Sequence, residues 1–254
     1  MQNDTLNLGG REFSSRFILG SGKYSHELID AAIKEAGAQM ITLALRRVNE
    51  SLDRNILEFI PKSVALLPNT SGARNADEAV RIARLSRELG CGDFIKIEII
   101  TDSKYLFPDN AQTLKATEIL AREGFIVMPY IYPELAAARA MIDAGAVCAM
   151  PLGAPIGSNQ GLVFKGAIEI MINELDAPVI VDAGIGRPSQ ACEAMEMGAA
   201  GVMANTAIAT ARDVKAMARA FGEAVRAGRE GFLAGLGRVR ESADASSPLT
   251  GFLE

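Results

Sequence analysis

A lysine and a glutamate stand two residues apart in Phe94-Ile95-Lys96-Ile97-Glu98-Ile99-Ile100, where every other residue is apolar. The β-branched run reads as a buried strand. Strand side chains alternate between faces, so Lys96 and Glu98 share one face while Ile95, Ile97 and Ile99 share the other. Burying an ammonium and a carboxylate is costly unless they are paired. One reading is a structural ion pair that fills an interior layer. The other is an amine whose pKa is lowered by burial, able to form a Schiff base, beside a carboxylate that shuttles protons. This segment alone leaves both readings open.

Three glycine-bearing segments could bring backbone N–H groups to an anion. In Val179-Ile180-Val181-Asp182-Ala183-Gly184-Ile185-Gly186-Arg187-Pro188 an apolar run ends on Asp182, and glycines then lead into a helix start. Glycine permits close backbone approach, and a helix N-terminus favours negative charge. In Gly201-Val202-Met203-Ala204-Asn205-Thr206 the last apolar run passes into small and hydroxyl residues. Pro151-Leu152-Gly153-Ala154-Pro155-Ile156-Gly157-Ser158-Asn159 is a further N–H-rich loop. Taken singly, each also reads as an ordinary turn.

The composition narrows the chemistry. The 254 residues include one histidine, His26. A multi-histidine metal site is therefore excluded, and acid–base work falls to Lys, Glu, Asp or Tyr. His26 itself reads as a helix-start residue. Lys and Arg number 26 against 31 Asp and Glu, a net charge of −5. That argues against a nucleic-acid partner, which calls for a basic face. Cys91, Cys148 and Cys192 are odd in number and form no CxxC pair, so a reduced, cytoplasmic protein is expected. Neither a secretory signal nor a membrane span is visible. No metal and no cofactor is expected.

The elements that must position these residues alternate. A hairpin pairs Leu6–Leu8 with Arg11–Phe13 around Gly9-Gly10. Apolar runs follow at Phe17–Gly20, Met40–Leu45, Val64–Leu67, Phe94–Ile99, Phe125–Tyr130, Val147–Leu152, Val179–Asp182 and Gly201–Asn205. Between them lie helix patterns. Ser25 caps one of these, Asn75 with Glu78 forms a capping box for Ala76–Leu89, and Pro133 opens another. The last long helix carries Val214, Met217, Phe221 and Val225 and stops at Gly228. Eight βα units predict an α/β fold, a (β/α)8 TIM barrel with a short N-terminal hairpin, with a doubly wound open sheet as runner-up. Residues 1–254 read as one barrel domain, with 1–15 as the hairpin extension and 238–254 as a polar tail. In such a barrel Asp182 falls at the carboxyl end of the seventh strand. The loops after strands seven and eight are then the usual place for a phosphate.

Taken together, the motifs resemble the bacterial thiazole synthase family, which makes the thiazole phosphate of thiamine. The resemblance runs through Gly20-Ser21-Gly22-Lys23-Tyr24, Leu43-Ala44-Leu45-Arg46-Arg47, Leu67-Pro68-Asn69-Thr70 and the Lys96–Glu98 strand. It continues through Met150–Gly157, Val181–Gly186, Asn205–Ala209 and Ala245–Pro248. It implies a cytoplasmic sulfur-transferring enzyme, homo-oligomeric as a dimer or tetramer. The implied reaction condenses 1-deoxy-D-xylulose 5-phosphate with 2-iminoacetate (dehydroglycine) and sulfur. The sulfur comes from the C-terminal thiocarboxylate of a ubiquitin-like sulfur-carrier protein. The resemblance places the Schiff base on Lys96 and proton transfer on Glu98 and Asp182. It places the sugar phosphate at Gly157, Ala183, Gly184, Asn205 and Thr206. Arg46, Arg47 and the C-terminal segment are candidates for contact with the carrier.

Three departures stand out: Ser71-Gly72-Ala73-Arg74-Asn75 in place of a Gly-Cys-Arg-Thr type run, Asn159-Gln160 after Gly157-Ser158, and Arg187 after Gly186. Two other readings fit the residues without the resemblance. One is a Schiff-base sugar-phosphate aldolase, and the other is a non-enzymatic phosphate-binding barrel.

Overall fold

A computed structural model describes residues 4–20, 25–44 and 59–243. The chain opens with the hairpin, β1 (Leu6–Leu8) antiparallel to β2 (Arg11–Phe13), with Leu6 opposite Phe13. Gly9 and Gly10 both sit at positive φ, 58° and 86°, as a tight two-residue turn demands. The βα units follow: β3 (Phe17–Leu19), α1 (His26–Lys34), β4 (Met40–Ala44), β5 (Ala65–Asn69), α2 (Ala76–Glu88), β6 (Phe94–Ile97) and α3 (Asn110–Arg122). Next come β7 (Ile126–Ile131), α4 (Leu135–Asp143), β8 (Met150–Pro151), α5 (Lys165–Glu174), β9 (Ile180–Val181) and α6 (Pro188–Glu196). β10 (Gly201–Ala204), a short α7 (Thr206–Ala209) and the long α8 (Val214–Ala234) complete the series.

The large sheet runs β8-β7-β6-β5-β4-β3-β10-β9, and every pair in it is parallel. Parallel bridges Ala149–Val179 and Leu152–Asp182 join its two ends. The ring is therefore closed, a (β/α)8 barrel, and the open doubly wound sheet is excluded because no free edge is left. Alternation along each strand sorts side chains into two layers. Inside lie Ile18, Met40, Leu67, Phe94, Met128, Met150, Ile180 and Met203, and the hairpin's Leu6, Leu8 and Phe13 pack against them. Outside, Ile95, Ile97 and Ile99 pack beneath Ala79 and Ala83 of α2 and Ala116 and Leu120 of α3. Full burial of each large apolar side chain stabilises the fold by about 1.5–3 kcal/mol.

Helix starts follow the caps. Ser25 Oγ accepts from the Leu28 N–H, and Asn75 Oδ1 accepts from the Glu78 N–H. α1 begins at His26, whose ring stacks on Phe59. One expected stop fails: α8 does not end at Gly228 but runs on to Ala234. Gly228 instead lets α8 approach α6, because a Cβ there would collide with the Cys192 carbonyl. Lys23, Tyr24, Leu45, Arg46, Arg47 and the segment 244–254 lie outside the described residues. Residues 238–243 are exposed and belong to no helix or strand. Among the described residues no helix is long and apolar enough to cross a membrane.

Candidate active site

A cavity of about 760 Å³ opens at the carboxyl ends of the barrel strands. β6 supplies its lysine. With the isoleucines committed to the helices, Lys96 must point inward, and Glu98 follows it one period further along. The end of this strand is tied down by Thr70, whose Oγ1 accepts from the Glu98 N–H at 2.8 Å and donates to the Glu98 carbonyl at 3.0 Å. Asp182 arrives at the end of β9, where its N–H donates to the Pro151 carbonyl at 2.9 Å.

These three side chains meet. Lys96 Nζ lies 2.5 Å from Asp182 Oδ2 and 3.7 Å from Glu98 Oε2. Met203 Sδ stands 3.6 Å away, and the buried ring of Tyr130 is 5.1 Å from the ammonium. Lys96, Glu98 and Asp182 are 5%, 7% and 4% exposed. Burial alone would lower the Lys96 pKa, but the charges of Asp182 and then Glu98 outweigh it and hold the amine above its ordinary value. Of the two readings of this pair, the one with an amine pKa lowered by burial is corrected in its direction. Lys96 rests as an ammonium between two carboxylates, and its proton has an acceptor at contact distance. Burial, with the same two charges, also pushes the Tyr130 phenol upward, so it stays protonated.

The backbone after β9 is unusual. Ala183 and Gly184 both adopt the left-handed conformation, at φ 60° and 80°. For alanine this costs about 1–2 kcal/mol. Gly184 admits no side chain, since a Cβ would run into Ala154. The carbonyls of Asp182 and Gly184 accept from the N–H groups of Gly153 and Gly161, at 2.9 and 2.7 Å. The N–H groups of Ala183 and Gly184 donate to no described residue. Beside them, the Asn205 amide donates to the Gly20 carbonyl at 2.7 Å, tying the end of β10 to that of β3.

The cavity wall gathers all the residues singled out in the sequence for chemistry or sugar-phosphate contact: Lys96, Glu98 and Asp182, with Gly157, Ala183, Gly184, Asn205 and Thr206. Arg187 is not among its lining residues; it is exposed and lies at the start of α6. Asn159 does line the wall. Sequence reasoning missed Arg74, Thr101, Ser103 and Met203, which also line it. The available signal was position, since Arg74, Thr101 and Ser103 follow barrel strands at their carboxyl ends. Among the described residues no group of His, Cys, Asp and Glu is arranged to hold a metal ion.

Comparison with known proteins identifies the family. A family model described as thiazole biosynthesis protein ThiG matches residues 7–248. A protein of Clostridium beijerinckii named thiazole synthase is 69% identical over 255 residues, covering 100% of both chains. One of Fusobacterium nucleatum with the same name is 67% identical over 251 residues, covering 98% of both. Among solved structures, the BexX/CysO complex of Amycolatopsis orientalis is similar with a TM-score of 0.83 and 32% identity, covering 94% of this chain and 98% of that one.

Proposed function

The chain belongs to the thiazole synthase family of thiazole-biosynthetic enzymes, and from that premise we propose that it condenses 1-deoxy-D-xylulose 5-phosphate, 2-iminoacetate and carrier-borne sulfur through a Schiff base on Lys96. The observation that carries this reading is the contact of Lys96 Nζ with Asp182 Oδ2 at 2.5 Å inside a cavity. An ammonium is not a nucleophile. Asp182 takes its proton, and the free amine adds to the sugar ketone. The carbinolamine then loses water, with the carboxylic acid returning its proton to the leaving hydroxyl.

The resulting iminium withdraws electrons from the neighbouring carbon and makes its proton acidic. Glu98 and Asp182 flank it and supply the base and acid that isomerisation needs. The N–H groups of Ala183 and Gly184, which donate to no described residue, suit the sugar phosphate, with Gly157, Asn205 and Thr206 around it. Anchoring the phosphate there places the reacting carbons over Lys96. The structural relative crystallised in a complex with a second protein, CysO, supports a protein partner. That partner is read here as a ubiquitin-like sulfur carrier. A homo-oligomer, cytoplasmic in location, belongs to the same reading.

Borohydride added in the presence of the sugar phosphate should leave a reduced adduct on the Lys96 peptide. Peptide mapping by mass spectrometry reads it, and an unmodified Lys96 peptide would overturn the proposal.

A further inference from the structure

Three anionic groups converge on the proposed reaction: the sugar phosphate, the thiocarboxylate and the carboxylate of 2-iminoacetate. The phosphate has the N–H groups after β9. The carboxylate of the imine needs a cation, because Glu98 and Asp182 repel a third negative charge in the same cavity. Lys96 does not serve, since it is engaged by both carboxylates. Among the described residues that line the cavity, the other cation is Arg74.

Its place in the fold is set by the backbone. Ala73 bridges to Ile99, and the Ile100 N–H donates to the Ala73 carbonyl at 3.1 Å. The Arg74 N–H donates to Glu78 Oε2 at 3.0 Å. Arg74 therefore rides on a loop pinned to β6 and to the start of α2. β5 and β9 stand four places apart in the ring of eight, so Arg74 lies across the mouth from Ala183 and Gly184. Its guanidinium makes no ion pair with a described residue. A planar fork of donors matches a carboxylate in two-point contact.

We propose that Arg74 binds the carboxylate of 2-iminoacetate and turns its imine carbon toward the Lys96-bound sugar. This rests on the thiazole-forming reading. It makes Arg74 a specificity residue for the two-carbon substrate and leaves the sugar to the far wall.

The test compares Arg74→Gln and Arg74→Lys with the parent protein in two assays. In the first, borohydride traps the sugar on Lys96 without the other substrates. In the second, thiazole formation is followed with glyoxylate plus ammonium as the source of the imine and a thiocarboxylated carrier as sulfur donor. Both variants should trap the sugar as the parent does. Arg74→Gln should raise the apparent KM for glyoxylate about 10- to 100-fold and lower kcat as well, because the imine carbon is no longer held toward the sugar. Arg74→Lys should recover part of that loss. An unchanged KM for glyoxylate in Arg74→Gln overturns the proposal. So does a rise confined to the carrier, which would assign Arg74 to the thiocarboxylate, or loss of sugar trapping in a variant that melts like the parent. Failure of the parent protein to trap sugar would instead remove the underlying reading.

Discussion

Two clusters of three charged side chains stand at opposite ends of the barrel, and they are built to opposite effect. At the amino end of the strands Asp4 is gripped by Arg16 and Arg229. Each guanidinium sets Nη2 at 2.7 Å from Oδ1, and the Nε atoms stand at 3.2 and 3.0 Å from Oδ2. The hydrogen bonds from Arg229, and then those and the charge of Arg16, hold the Asp4 carboxyl down to about 2, against the opposing pull of burial. Two cations share one anion in matched two-point contacts, so every group is satisfied and none is free to exchange a proton. At the carboxyl end the proportions reverse, with one ammonium and two carboxylates. Lys96 meets Asp182 and Glu98 at single points, 2.5 and 3.7 Å away, at the wall of a cavity. A lysine can give up its proton where an arginine cannot. The first cluster is a staple between the N-terminal segment and α8. The second sets a lysine, paired with two carboxylates, at the wall of a cavity.

The comparison breaks most sharply at Lys96. Lys96→Arg keeps the charge but not the removable proton, so thiazole formation should fall by at least about 10³-fold with no borohydride adduct. A melting temperature close to that of the parent would show that the loss is chemical. Retained activity would make this cluster a second staple.

Asp182→Asn should come next, lowering turnover about 10²- to 10⁴-fold. It also removes the largest influence that raises the Lys96 pKa. The pH at which adduct formation is half-maximal should therefore move downward, and a profile unmoved or moved upward would contradict the electrostatic assignment.

The smallest effect belongs to the staple. Asp4→Asn should cost about 1 kcal/mol, given its partial exposure, and leave adduct formation intact. Because the folded pKa of Asp4 lies below the unfolded one, its contribution is present above pH 4 or so. It fades as pH falls toward about 2. Melting curves of the two proteins should thus converge in acid, and curves that stay parallel down to that pH would refute the assignment.

Much of this was legible residue by residue. The Gly9-Gly10 hairpin, the capping by Ser25 and Asn75, and the shared face of Lys96 and Glu98 all follow from local rules, and the structure bears them out. Gly228 was misread for the same reason. A glycine in a helical pattern looks like a stop when its neighbours in the chain are all that can be seen. In space it is the point where α6 passes close to α8.

The sequence by itself determined the alternation of elements, the shared face of Lys96 and Glu98 on their strand and the chemical types available there. These depend on the period of the backbone and on the polarity of neighbouring residues. Tertiary structure alone decided which strand ends meet. Closure of the ring through Ala149–Val179 and Leu152–Asp182 sets β9 beside β8 and delivers Asp182 to Lys96, 86 positions earlier in the chain. It also decided the sign of the Lys96 shift, because burial and charge act in opposite directions and only distances tell which prevails. It placed Arg74 across the mouth from Gly184, since position on a closed ring is set by strand order, which no local pattern carries.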